Sequence, residues 1–207
     1  MEFADRLRRT RIVPVMVIKD VAHAVPLARA LVAGGLNILE ITLRTDSALE
    51  AMTRIAAEVE GAFVGAGTVV NRAQLAASAK AGAQFIVSPG FVEELAAAAK
   101  DNNVPLLPGI ASPSDIIRGL SCGLSLFKFF PAESLGGVPY LKALGGPFPQ
   151  VKFCPTGGVT PKNLRDYLAL PNVICAGGSW MIPSDLAAAG AFDAVTAQAR
   201  EAVALAA

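Results

Sequence analysis

Lys128 stands inside an almost wholly apolar run, Leu124-Ser-Leu-Phe-Lys128-Phe-Phe130-Pro-Ala-Glu133. Burying an ammonium among phenylalanines is costly, and an apolar surrounding favours the neutral amine, a nucleophile that attacks carbonyls. The run has no turn signal before Pro131, so it reads as a strand. A period of 2 puts Leu126, Lys128 and Phe130 on one face, with Phe127 and Phe129 on the other. On this strand alone the plainer reading is a lysine at a strand end that snorkels its charge to water. Residues at other strand ends turn that reading round.

Glu40-Ile-Thr42-Leu-Arg44 has the same period, which aims a carboxylate, a hydroxyl and a guanidinium at one side and two aliphatic side chains at the other. An inward Glu and Arg could form a structural ion pair, but that leaves Lys128 unexplained; the three charges together make a site. Thr68 ends a third strand and Ser88-Pro89-Gly90 a fourth. The last two strands run into Pro155-Thr156-Gly157-Gly158 and Gly177-Gly178-Ser179-Trp180. Paired glycines leading into helices expose backbone N–H groups to an anion. One pair would read as a tight turn; two pairs, at the last two strands, favour a phosphate.

Short β-rich runs alternate eight times with Ala- and Leu-rich helical stretches, the pattern of a parallel α/β fold. The strands are expected near 12–18, 38–44, 63–68, 84–88, 105–108, 125–130, 151–155 and 173–176. Val32-Ala-Gly-Gly35 and Lys80-Ala-Gly82 read as helix ends, and Thr160-Pro161 as an N-cap with proline at the first helical position. Eight units in one short chain predict a closed (β/α)8 TIM barrel, one catalytic domain over 1–207, with its active site at the C-terminal ends of the strands. An open doubly wound sheet is the alternative, with Gly65-Ala-Gly67 as its dinucleotide loop. The third glycine of that fingerprint is missing, so these glycines are read as making room where a strand ends.

With 18 Lys and Arg against 17 Asp and Glu there is no basic field for nucleic acid, and the partner is expected to be a small molecule. Charged residues interrupt every apolar stretch before about 18 residues, so no membrane span is expected. Asp5-Arg-Leu-Arg-Arg-Thr-Arg11 lacks an apolar h-region and a cleavage site, and reads as a short solvated helix. Cys122, Cys154 and Cys175 are far apart and odd in number, which fits a reduced cytoplasmic compartment. A single histidine, His23 on a predicted helix face, cannot complete a usual zinc set, so no metal is expected.

The chain closely resembles the class I, Schiff-base-forming aldolases that act on 2-keto-3-deoxy-6-phosphogluconate (KDPG) and 4-hydroxy-2-oxoglutarate (KHG). The motifs that carry the resemblance are Pro26-Leu-Ala-Arg-Ala-Leu-Val-Ala-Gly-Gly35, Leu39-Glu-Ile-Thr-Leu-Arg-Thr45, Gly65-Ala-Gly-Thr-Val69, Ser88-Pro-Gly90, Pro108-Gly-Ile110, Phe127-Lys-Phe-Phe-Pro-Ala-Glu133, Cys154-Pro-Thr-Gly-Gly158 and Gly177-Gly-Ser-Trp180. They span nearly the whole chain after its first ten or so residues.

The resemblance implies reversible cleavage of KDPG to pyruvate and glyceraldehyde 3-phosphate, the closing step of the Entner–Doudoroff pathway, with no cofactor because the imine itself is the electron sink. It implies that Lys128 forms the imine and that Glu40 is the general acid and base. Arg44 and Thr68 would hold the pyruvyl carboxylate, and Pro89 and Phe130 would wall the site. Thr156 would steer stereochemistry at the aldehyde-derived half, and Gly157, Gly158 and Ser179 would take the phosphate. It also implies a homotrimer. Cleavage of KHG to pyruvate and glyoxylate is a related activity for which a phosphate site is superfluous. The rivals from other classes are a phosphosugar isomerase or epimerase, which needs no imine, and a non-catalytic sugar-phosphate sensor.

Overall fold

A computed structural model describes residues 2–207. Eight strands run in chain order: β1 (Ile12–Met16), β2 (Ile38–Thr42), β3 (Phe63–Gly67), β4 (Phe85–Ser88), β5 (Leu106–Ile110), β6 (Leu126–Phe129), β7 (Lys152–Pro155) and β8 (Ala176–Gly178). The helices are α1 (Phe3–Thr10), α2 (Ala24–Ala33), α3 (Ala48–Glu58), α4 (Arg72–Lys80), α5 (Glu93–Asp101), α6 (Pro113–Ser121), α7 (Gly137–Leu144), α8 (Leu164–Leu168), α9 (Ser184–Ala188) and α10 (Phe192–Ala206). The strands pair in parallel in the order β7-β6-β5-β4-β3-β2-β1-β8. Bridges Phe153↔Val173 and Thr156↔Gly177 bring β7 to the β8 side, closing the ring as an eight-stranded (β/α)8 barrel with a short N-terminal helix.

Alternation along each strand separates two cores. Outward side chains such as Leu39, Ile41, Phe127, Phe129 and Phe153 pack against the helical jacket. Inward ones, among them Val13, Ile38, Phe85, Val87, Leu107 and Cys154, fill the barrel itself. The alternation expected across 126–130 is thus the observed one.

Several local expectations are corrected. The N-terminal helix is not merely solvated: Leu7 is 0% exposed and belongs to the barrel's inner core. Phe3, one turn earlier on the same face, stacks on Phe85 with ring centroids 5.0 Å apart. The basic residues dominate the composition of this helix, while two apolar residues four apart decide where it sits. β8 begins where the expected strand ends, so Gly177 and Gly178 lie inside it. Thr160 does not cap a helix directly; a turn over 161–163 intervenes, Thr160 N–H donates to Asn163 Oδ1 at 2.7 Å, and α8 starts at Leu164. His23 lies in a single 3₁₀ turn before α2, its ring edge-on to Phe192 at 5.7 Å.

Candidate active site

β2 and β6 are four places apart in a ring of eight, so they face each other across the barrel. Glu40 and Lys128 point inward from these opposite walls and meet, with Lys128 Nζ donating to Glu40 Oε1 at 3.1 Å. Both are almost fully enclosed, at 2% and 4% exposed. An eight-stranded barrel is just wide enough for its interior side chains, so two long ones can share a layer only if neighbours are small. Glycine supplies the space. A Cβ on Gly67 would lie 2.3 Å from Glu40 Oε1, and one on Gly109, the register partner of Lys128, would lie 2.2 Å from the Pro89 carbonyl oxygen. The Phe130 ring completes the wall, its centroid 5.2 Å from Lys128 Nζ.

Arg44 lies beyond the end of β2, exposed at the barrel mouth, and its Nε donates to Thr68 Oγ1 at 3.1 Å. Thr68 has φ 61°, a left-handed conformation that is an outlier for a β-branched residue and costs about 1–3 kcal/mol. This conformation sets the hydroxyl toward the guanidinium. Thr42, between Glu40 and Arg44, does not join them; its hydroxyl donates to the Met16 carbonyl at 2.9 Å. Pro89 is exposed, on a turn that Ser88 pins by donating to the Gly90 carbonyl at 2.7 Å.

Thr156 is buried at the end of β7, its Oγ1 3.9 Å from Cys154 Sγ. A Cβ on Gly177 would stand 2.4 Å from that oxygen, so glycine in β8 makes room for the Thr156 hydroxyl. Cys175 is fully buried; desolvation first, and then its hydrogen bond with Cys154, push its thiol well above the usual range, so it stays protonated. Gly157 and Gly158 follow with φ 95° and 82°, a turn that side chains rarely adopt. Ser179 is exposed just past β8. Among the described residues, no group of three or more His, Cys, Asp or Glu side chains is placed to hold a metal.

One polar pair escaped the reading of the sequence. Tyr167 on α8, 0% exposed, donates its hydroxyl to Glu133 Oε1 in a short hydrogen bond, and the Glu133 backbone N–H donates to the Gly157 carbonyl at 3.1 Å. The available signal was modest: Tyr167 is one of two tyrosines, placed among the polar residues of a short helical stretch.

Comparison with known proteins shows the family of the chain. The family model described as KDPG and KHG aldolase matches residues 3–198. The KHG/KDPG aldolase of Escherichia coli (strain K12) is 56% identical over 192 residues, 93% of this chain and 90% of that one. Among solved structures, the 2-keto-3-deoxy-6-phosphogluconate aldolase of Zymomonas mobilis ZM4 with 3-phosphoglycerate superposes with TM-score 0.91 at 48% identity, covering 98% of this chain and 96% of the other. The KDPG aldolase of Legionella pneumophila, with pyruvate captured at low pH as a covalent carbinolamine intermediate, does so with TM-score 0.94 at 43% identity, covering 97% and 98%. An enclosed lysine beside a carboxylate, in a chain this similar throughout its length, leads to one assignment: the chain belongs to the KDPG and KHG aldolase family.

Proposed function

We propose that the protein is a class I aldolase that reversibly cleaves KDPG to pyruvate and glyceraldehyde 3-phosphate through an imine on Lys128. The observation that carries this reading is the enclosed Lys128 Nζ, 3.1 Å from Glu40 Oε1. In this reading Glu40 accepts the ammonium proton, leaving an amine that attacks the C2 ketone of the substrate. The carbinolamine loses water with proton delivery from Glu40, and the resulting iminium is the electron sink. Removal of the C4 hydroxyl proton then breaks the C3–C4 bond. Its electron pair moves into the imine, giving an enamine on the lysine and a free aldehyde. Protonation at C3 and hydrolysis release pyruvate and restore the amine.

Arg44, oriented by Thr68, suits the pyruvyl carboxylate because a guanidinium offers paired donors to a planar anion. Thr156 has its hydroxyl at the layer where the aldehyde half would lie, and Pro89 and Phe130 border the site. Gly157, Gly158 and Ser179 are the proposed phosphate contacts. KHG shares the pyruvyl end, and the E. coli relative's name covers both substrates, so we propose KHG cleavage as a second activity. An isomerase or epimerase on the same barrel would have no use for an imine-forming lysine.

We further propose a homotrimer acting on small molecules in the cytoplasm. Val17, Leu49, Val70 and Val92 are exposed apolar side chains in the segments that follow β1, β2, β3 and β4, four neighbours in the ring. Such a rim supports covering by other copies of the chain. No described helix is long and apolar enough to cross a membrane.

Sodium borohydride with pyruvate tests the chemistry. A stable reduced adduct is expected on the Lys128 peptide, with loss of activity, and none in Lys128→Arg. Labelling of Lys142 or Lys152 instead would overturn the assignment; Lys142 is exposed, and the Lys152 ammonium already donates to the Pro171 carbonyl at 2.9 Å.

A further inference from the structure

The two glycines after β7 are held between two neighbours. A Cβ on Gly157 would lie 3.2 Å from Pro131 Cα and 3.3 Å from the Phe130 ring. One on Gly158 would lie 2.5 and 2.6 Å from Glu133 Cγ and Cβ. The stem of an acidic residue therefore lies directly against the loop proposed to take a phosphate. Glu133 is exposed as a residue, but its Oε1 accepts from the hydroxyl of the buried Tyr167, which ties the carboxylate to α8. Gly137 keeps that space open, since a Cβ there would stand 2.9 Å from Glu133 Oε1 and 3.0 Å from Tyr167 Oη. Burial, the hydrogen bond to Glu133 and the Glu133 charge, in that order, all hold the Tyr167 phenol protonated far above its ordinary range. It is a permanent donor at any working pH.

A free carboxylate beside a phosphate dianion repels it, and a buried neutral donor that holds the carboxylate back removes much of that repulsion. On the aldolase reading above, we propose that Tyr167 and Glu133 are a positioning pair: Tyr167 keeps the Glu133 carboxylate turned away from the substrate's phosphate, while Glu133 fixes the glycine loop to the end of the lysine-bearing strand. The pair thereby sets selectivity for phosphorylated over unphosphorylated 2-keto acids without touching the reacting carbons. Nothing in the imine chemistry calls for either residue.

The test compares Tyr167→Phe, Glu133→Gln and the double variant on KDPG and on KHG, with inorganic phosphate as competitive inhibitor. In Tyr167→Phe the released carboxylate should raise both KM for KDPG and Ki for phosphate by roughly three- to tenfold. Values of kcat/KM for KHG and borohydride trapping of pyruvate should stay at the parent level. Glu133→Gln keeps an acceptor for Tyr167 and removes the charge, so Ki for phosphate should hold or fall. The double variant should recover most of what Tyr167→Phe loses, a rescue that a purely structural role does not produce. Equal loss on both substrates, or no rescue in the double variant, overturns the proposal. Should Tyr167→Phe fail to fold, weaker phosphate inhibition in Glu133→Gln alone does the same. If the parent forms no pyruvate adduct, the aldolase reading falls and this proposal with it; an intact adduct with unshifted phosphate selectivity sinks the proposal alone.

Discussion

The two ends of the barrel interior are built on opposite principles from the same alternating strands. At the N-terminal end inward positions are filled with volume: Val13, Ile38, Phe85, Val87 and Leu107 close the space, and α1 seals it from below with Leu7. At the C-terminal end volume is withheld. Gly67 and Gly177 leave the room in which Glu40 and Thr156 lie, and Gly109, beside Lys128 in register, admits the Pro89 backbone. The difference separates stability from chemistry, because burying an ion pair is a poor way to stabilise a core. The lower end holds the barrel shut; the upper end spends none of its design on stability and holds a charged pair in reach of a ketone.

The sharpest way to break that comparison is to remove the charges. Lys128→Met leaves the Glu40 carboxylate enclosed without its partner, which should cost about 3–5 kcal/mol and abolish cleavage. Combining it with Glu40→Leu should restore stability to the parent level or above, with cleavage still absent. Urea unfolding alongside a cleavage assay reads both. A double variant as unstable as the single one would mean that the upper pair is itself structural support, and the two ends would no longer differ in kind.

A smaller effect comes from two glycines on one face of one strand. In Gly67→Ala the new Cβ would fall 2.3 Å from Glu40 Oε1 and 2.7 Å from its Cγ. A flexible side chain can swing away, so the fold should survive while the displaced carboxylate lowers kcat by roughly 10²- to 10⁴-fold. Two residues earlier, Gly65→Ala would drive its Cβ to 2.3 Å from Phe85 Cζ. That ring is packed on all sides, so about 1–3 kcal/mol of stability should be lost with kcat per folded molecule unchanged. Swapped outcomes, in thermal unfolding and in steady-state rates, would place the boundary between the two ends elsewhere.

How far this division was legible in the sequence follows from the range of each signal. Lys128 and Glu40 could be read because a charge in an apolar run, or on the inward phase of a strand, is conspicuous within a few residues. Gly65 and Gly67 were read as making room, and Phe85 and Glu40 are what they make room for. The role of α1 was hidden because arginines dominate its composition, while its seat depends on Phe3 and Leu7 meeting residues far along the chain. Tyr167 and Glu133 lie 34 positions apart on different elements, and no local spacing pairs them. The late start of β8 has a similar cause: glycines carry no β signal of their own, and pairing with β1 makes Gly177 and Gly178 a strand.

The smallest expected effect lies outside the barrel at its C-terminal end and asks whether every carboxylate there serves chemistry. Asp115 caps α6 by accepting from the backbone N–H groups of Ala111 at 3.1 Å and Ser112 at 3.0 Å, and from Arg118 Nη2 at 2.6 Å. Burial raises its pKa, but these hydrogen bonds, with one from the Ser112 hydroxyl, outweigh burial and hold it below the ordinary 3.8. A depressed carboxylate stabilises the fold above its unfolded pKa, and that contribution is lost as pH falls through the folded value. Asp115→Asn should therefore cost about 1 kcal/mol near neutral pH, with the gap to the parent closing below about pH 4, and cleavage should be unaffected. Urea midpoints of the two proteins across acid pH measure it. A gap that stays constant as pH falls through the whole acid range would show that the side chain's shape, and not its charge, caps the helix, whereas a loss of cleavage would extend the chemical end of the barrel outward to its helical rim.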